Sequence, residues 1–171
     1  GVGCTGHGKG LYLWGRDGSP AYYGIASTDR RAAAYVEKWE RDKTALAASR
    51  ITLQTLLACQ PAALLAWLKE NRPEVYGNIR WVLACKDYIR LRLTGEACAE
   101  RTDFSGSGLL DLRSGGYSPE LLRLFGIEEM MECLPPLCTS DERCGVVTAQ
   151  AAEATGLLPG TPVCGGMFDI D

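Results

Sequence analysis

The 171 residues contain no run approaching the roughly 18 to 20 apolar positions a membrane-spanning helix needs. The opening Gly1-Val2-Gly3-Cys4-Thr5-Gly6 also lacks the charged and apolar regions of a signal peptide. A membrane partner is thereby excluded, and a soluble, cytoplasmic protein is expected. No basic block is present either: 18 Lys and Arg stand against 21 Asp and Glu, a net charge of −3, so nothing tracks a phosphate backbone and no nucleic-acid partner is expected. Histidine occurs once, and the eight cysteines form no CxxC. Only Cys133, Cys138 and Cys144 fall near one another, with no histidine beside them, so the thiols read as reduced and mostly buried, with no metal site. There is no internal repeat or low-complexity stretch, and 46% hydrophobic with 23% charged residues excludes disordered, collagen-like and coiled-coil chains. The chain lacks an initial methionine and reads as an excerpt of a longer protein.

What is present alternates between extended and helical signals. Bulky Leu11 to Trp14, the turn formers Gly15-Arg16-Asp17-Gly18-Ser19-Pro20 and the stretch Ala21 to Ile25 predict a hairpin. Ser27-Thr28-Asp29 offers capping side chains ahead of a first helix over Arg30 to Arg41. Pro61 and the Leu64, Leu65, Leu68 face predict a second helix ending at Asn71-Arg72-Pro73. Trp81 to Ala84 reads as a buried strand, Lys86 to Leu93 as a helix stopped by Thr94-Gly95, and Leu109 to Leu112 as a strand turning at Ser114-Gly115-Gly116. Ser118-Pro119-Glu120 opens a helix that closes at Gly126; Thr148 to Thr155 is another, followed by a loop and a strand over Pro162 to Gly166. The alternation implies an α/β domain.

Two nucleotide motifs match the first ten residues literally. Gly1 to Gly6 fits GxGxxG and Gly3 to Lys9 fits GxxxxGK. Neither is in its required context: extended Leu11 to Trp14, not a helix, follows, and Gly10 stands where a P-loop needs Ser or Thr for magnesium. The loop reads instead as a glycine-rich turn carrying His7, whose small neighbours let a ligand approach the backbone.

Three carboxylates sit in informative places. Asp169 follows the apolar Val163-Cys164-Gly165-Gly166-Met167-Phe168 with no basic neighbour, where α/β sheets present groups to ligands. Asp29 either faces a ligand or caps the helix after it. Asp103, in Thr102-Asp103-Phe104-Ser105-Gly106, reads as holding an Asx-type turn.

Taken in order, Gly6-His7-Gly8, Ser27-Thr28-Asp29-Arg30-Arg31-Ala32, Lys86 to Glu96 (KDYIRLRLTGE), Thr102 to Gly108 (TDFSGSG), Tyr117 to Leu122, Leu134-Pro135-Pro136 and Thr155 to Val163 (TGLLPGTPV) resemble the FGGY family of carbohydrate kinases, in the first of its two actin-like domains. The resemblance implies an α/β, ribonuclease-H-like domain of the actin/hexokinase ATPase type, a mixed sheet with flanking helices. It also implies transfer of the ATP γ-phosphoryl group to a sugar hydroxyl. By the same resemblance Asp169 matches the catalytic base and His7 a substrate-contacting position of xylulose kinases, with Thr5 and Gly6 in the same loop; for that chemistry His7 and Asp29 have the donors and acceptors to hold sugar hydroxyls. Met167 and Phe168 separate Gly166 from Asp169 where most members read Gly-Gly-Asp, a departure that bears on substrate identity more than on chemistry. Gln60-Pro61 and the Ser-Thr-Asp-Arg-Arg run point to the branch acting on L-xylulose and related keto sugars or keto acids. ATP and Mg2+ would be held largely outside these residues, by a phosphate loop before Gly1 and a second domain after Asp171, and a homodimer is the assembly considered. The competing expectation is a non-catalytic sugar-binding or regulatory protein on the same domain, against which an unpaired Asp169 argues.

Overall fold

The computed structural model describes residues 1–170. Ten short strands and eight α-helices run in the order β1 (Thr5–Gly6), β2 (Tyr12–Gly15), α1 (Ala33–Arg41), α2 (Thr44–Thr52), α3 (Pro61–Asn71), α4 (Pro73–Asn78), β3 (Ile79–Leu83), α5 (Cys85–Thr94), β4 (Ala99–Glu100), α6 (Arg101–Phe104), β5 (Leu110–Asp111), β6 (Gly116–Tyr117), α7 (Pro119–Phe125), β7 (Leu137–Cys138), β8 (Arg143–Val146), α8 (Ala149–Thr155), β9 (Pro162–Cys164) and β10 (Met167–Phe168). The expected mixed α/β architecture is present, as five two-stranded ladders. Those of β1 with β10 and β4 with β7 are parallel; β2 with β3, β5 with β6 and β8 with β9 are antiparallel.

Helix ends follow local chemistry. Pro61 starts α3 without needing an N–H partner, and its Leu64, Leu65 and Leu68 are fully buried. Ser118 caps α7 by accepting the Leu121 N–H, Thr148 caps α8 through Ala151, and Gly95, Gly126 and Gly156 end α5, α7 and α8 in the left-handed conformation. The main core packs α1, α3 and α7 on β2 and β3, while Leu93, Val147, Ala151 and Val163 form a smaller one between α5, α8 and β9.

Four expectations are refined. The hairpin forms, with residues 20–25 returning antiparallel through bridges at Trp14–Pro20 and Leu11–Ile25 and an Ala21 N–H to Leu13 carbonyl bond, but the strand that ladders with β2 is β3. The first helix starts at Ala33 with no side-chain cap, because Asp29 accepts the Arg31 N–H at 2.8 Å and closes its own turn short of the helix. Pro73 opens α4 as well as following α3. The last strand breaks at Gly165-Gly166 and resumes as β10. There a Cβ on Gly165 would lie 2.1 Å from the Thr139 carbonyl oxygen, and one on Gly166, at φ 71°, 2.0 Å from that of Cys4. Only glycine admits such close backbone approach.

Candidate active site

Pairing of β1 with β10 brings the two ends of the chain together. Thr5 lies opposite Met167 and Gly6 opposite Phe168, and the Asp169 N–H donates to the Gly6 carbonyl at 3.1 Å. Asp169 therefore leaves its strand beside the loop His7 to Gly10. Asp169 is exposed, and no hydrogen bond or ion pair among the described residues occupies its carboxylate.

The loop is held on three sides. Gly10, at φ 71°, donates to the Cys59 carbonyl at 2.8 Å and passes so near Ile25 that a Cβ would meet its carbonyl oxygen at 2.4 Å. Phe168 lies over Gly8, where a Cβ would meet the ring at 2.3 Å, and Lys9 extends over the same ring. His7 Nε2 is 2.9 Å from the Tyr12 hydroxyl, a bond that orients the imidazole from the start of β2. No helix follows the glycines before α1, so the loop offers no helix N-terminus to a nucleotide phosphate.

Asp29 is placed differently from Thr5, Gly6, His7 and Asp169. Its two oxygens accept from Arg31 Nε and Nη2, both at 2.9 Å, and these bonds hold its carboxyl below the usual carboxylate range. It lines a cavity of about 400 Å³ whose wall includes Cys59, the residue that grips Gly10. No hydrogen bond or ion pair among the described residues joins it to the other four.

Beneath β10 lies a buried charge network that the sequence reading missed. Lys86 is fully buried, its Nζ 3.1 Å from Asp87 Oδ1, 3.1 Å from Glu100 Oε2 and 3.6 Å from Asp103 Oδ2. Burial works against the Lys86 charge, but the fields of Asp87, Asp103 and Glu100 outweigh it and raise its pKa. Burial pushes Asp87 up against the opposing pull of Lys86 and Arg90, and pushes Asp103 up to about 7. Asp103 thus holds no Asx turn: it is buried in α6, and its Oδ2 has no hydrogen-bond partner. Glu100, held below its usual value by the N–H and hydroxyl of Thr102 and by Lys86 against the cost of burial, caps α6 and also accepts from Ser140. The network reaches the site through Thr102, whose hydroxyl donates to Glu100 Oε2 at 2.8 Å and accepts the Phe168 N–H at 3.1 Å. One residue further on is Asp169.

The chain matches the N-terminal domain of the FGGY family of carbohydrate kinases over residues 1–171. It is 42% identical over 170 residues to an L-xylulose/3-keto-L-gulonate kinase of Escherichia coli K12, covering 99% of this chain and 34% of that protein. It is 41% identical over 170 residues to a probable L-xylulose kinase of Pasteurella multocida, covering 99% and 35%. The crystal structure of a xylulose kinase from Rhodospirillum rubrum superposes with a TM-score of 0.89 at 30% identity, over 99% of this chain and 35% of that one. The chain spans about a third of the length of the curated relatives it matches. Its fold is the family's mixed α/β, actin-like ATPase fold. On the motifs, the fold and these similarities together, the chain belongs to the FGGY family of carbohydrate kinases.

Proposed function

We propose that the intact protein transfers the γ-phosphoryl group of ATP to a hydroxyl of a keto sugar or keto acid of the L-xylulose type, with Asp169 as general base. The observation that carries this reading is the β1–β10 pairing, which sets an unpartnered carboxylate beside the His7 loop. Asp169 takes the proton of the acceptor hydroxyl as its oxygen bonds to the γ-phosphorus; the bond to the bridging oxygen breaks and ADP leaves. His7, fixed by Tyr12, and the backbone of Thr5 and Gly6 pair with the sugar's oxygens, and specificity follows because an unmatched buried polar group is costly. Asp29 acts from the rim, through the turn it shares with Arg31. The identities to proteins named as L-xylulose kinases support the substrate class.

This chain supplies the acceptor side of the reaction. Magnesium, which favours oxygen ligands and retains water, fits as a companion of the ATP phosphates. When bound there it neutralises charge on the transferring group.

The test is ADP release from MgATP by the intact protein across ketoses, polyols and keto acids, including both xylulose enantiomers. Sugar-dependent ADP with preference for an L-ketose or keto acid is expected. Silence across the panel, with sugars still raising the Tm, would replace the kinase reading by a binding protein.

A further inference from the structure

Three of the eight free cysteines converge although the sequence separates them. The Sγ atoms of Cys98, Cys138 and Cys144 all lie within 4.8 Å of one another, buried in a cluster of their own. The trio that spacing suggested is revised: Cys133 packs in the main core, where its thiol donates to the Ile79 carbonyl, and Cys98 takes its place. Each thiol comes from a different segment. Cys98 leads into β4, Cys138 ends β7, which pairs in parallel with β4, and Cys144 lies in β8.

We propose that Cys98, Cys138 and Cys144 form a binding site for a borderline-soft d10 cation, zinc foremost, as three thiolate ligands. Zinc bound at about 2.3 Å from each sulfur sets the sulfurs about 3.8 to 4.0 Å apart, so a small contraction converts the observed cluster into a metal site. Its surroundings match its charge. Arg90, 1% exposed, donates from Nη2 to the Cys98 carbonyl, and its Nε has no hydrogen-bond partner. Three thiolates on a divalent cation carry one net negative charge, and the Arg90 guanidinium beside them, which also pairs with Asp87 at 2.9 Å, keeps an Nε–H without a hydrogen-bond partner.

An entry path exists as well. A groove of about 480 Å³ opens on all three cysteines and is lined also by Glu96, Glu142 and Arg143. The groove would admit a fourth ligand, water or Glu142, whose carboxylate now accepts the Thr139 N–H at 3.1 Å. The role is structural. The metal would tie β4, β7 and β8 together behind Arg90, whose Nη1 donates to the Gly165 carbonyl just before β10.

The test uses the intact protein loaded with Zn2+ alone and dialysed without chelator. Wild type is expected to keep one equivalent of zinc more than Cys98→Ser or Cys144→Ser by elemental analysis, and to lose Tm when that equivalent is removed. Cobalt in its place should give intense thiolate-to-metal charge-transfer absorption, a readout on wild type that holds even where a serine variant fails to fold. Equal zinc content in wild type and folded variants overturns the proposal. So does a wild-type cobalt complex without that absorption, or a disulfide within the trio in place of metal.

Discussion

Replacing Lys86 with methionine keeps an unbranched side chain, one atom shorter, and removes the one cation that Asp87, Glu100 and Asp103 share at 3.1, 3.1 and 3.6 Å. With no water to take its place, breaking such a buried pair costs about 3 to 5 kcal/mol. For a domain of this size that is a fall in Tm of roughly 10 °C. The loss should depend on pH with a definite sign. Without Lys86, the native pKa values of Asp87 and Asp103, already raised by burial, climb further above their unfolded values. The native state then binds more protons than the unfolded one, so the penalty is largest at pH 8 and shrinks toward pH 5 as the carboxyls take up protons. Thermal and urea unfolding of wild type and Lys86→Met in the intact protein at both values would measure it. A loss under about 1 kcal/mol, the scale of an exposed pair, or the same loss at both pH values, would refute the buried-network reasoning.

Thr102→Val removes the link between Glu100 and the Phe168 backbone; a loss of about 2 kcal/mol with a lowered kcat is expected, from one charge-assisted and one ordinary hydrogen bond, read by urea unfolding and steady-state kinetics. Gly8→Ala forces the Phe168 ring aside and should lower kcat more than Tm, since the ring neighbours Asp169; unchanged kinetics would mean that the loop does not position the proposed base. Asp103, with a native pKa near 7 against 3.8 unfolded, makes stability fall as pH rises between those values; Asp103→Asn should flatten that slope in a Tm-against-pH series.

The elements read most directly from sequence were those with local signals. Pro61 with its leucine face, Ser118-Pro119 and the Gly95 and Gly126 stops each carry their own reason. Helix α2 carries none: it begins after Lys43, at φ 69°, without a side-chain cap, and was not anticipated. The ladders β4–β7 and β1–β10 are two residues long and join distant segments, too short for alternation to register. Proximity of His7 and Asp169 depends on the second of these, so local pattern alone did not reveal it and family resemblance did. Helix α5 inverts the usual amphipathic rule. Its Lys86, Asp87 and Arg90 are buried while Ile89 is exposed, so the charged side chains, not the apolar one, form the inward face. The one available signal was Lys-Asp beside an arginine on one helix face. Cysteine spacing misled for a related reason: neighbours in sequence, Cys133 and Cys138, belong to different clusters, and Cys98 arrives through strand pairing.

The central claim is that Asp169 takes the acceptor's proton, and Asp169→Asn in the intact protein tests it most directly, with sugar-dependent ADP release and sugar binding measured side by side. A fall in kcat of about 10² to 10⁴ with sugar affinity nearly unchanged is predicted, the range expected for losing a general base. A variant that turns over at near wild-type rate would contradict it.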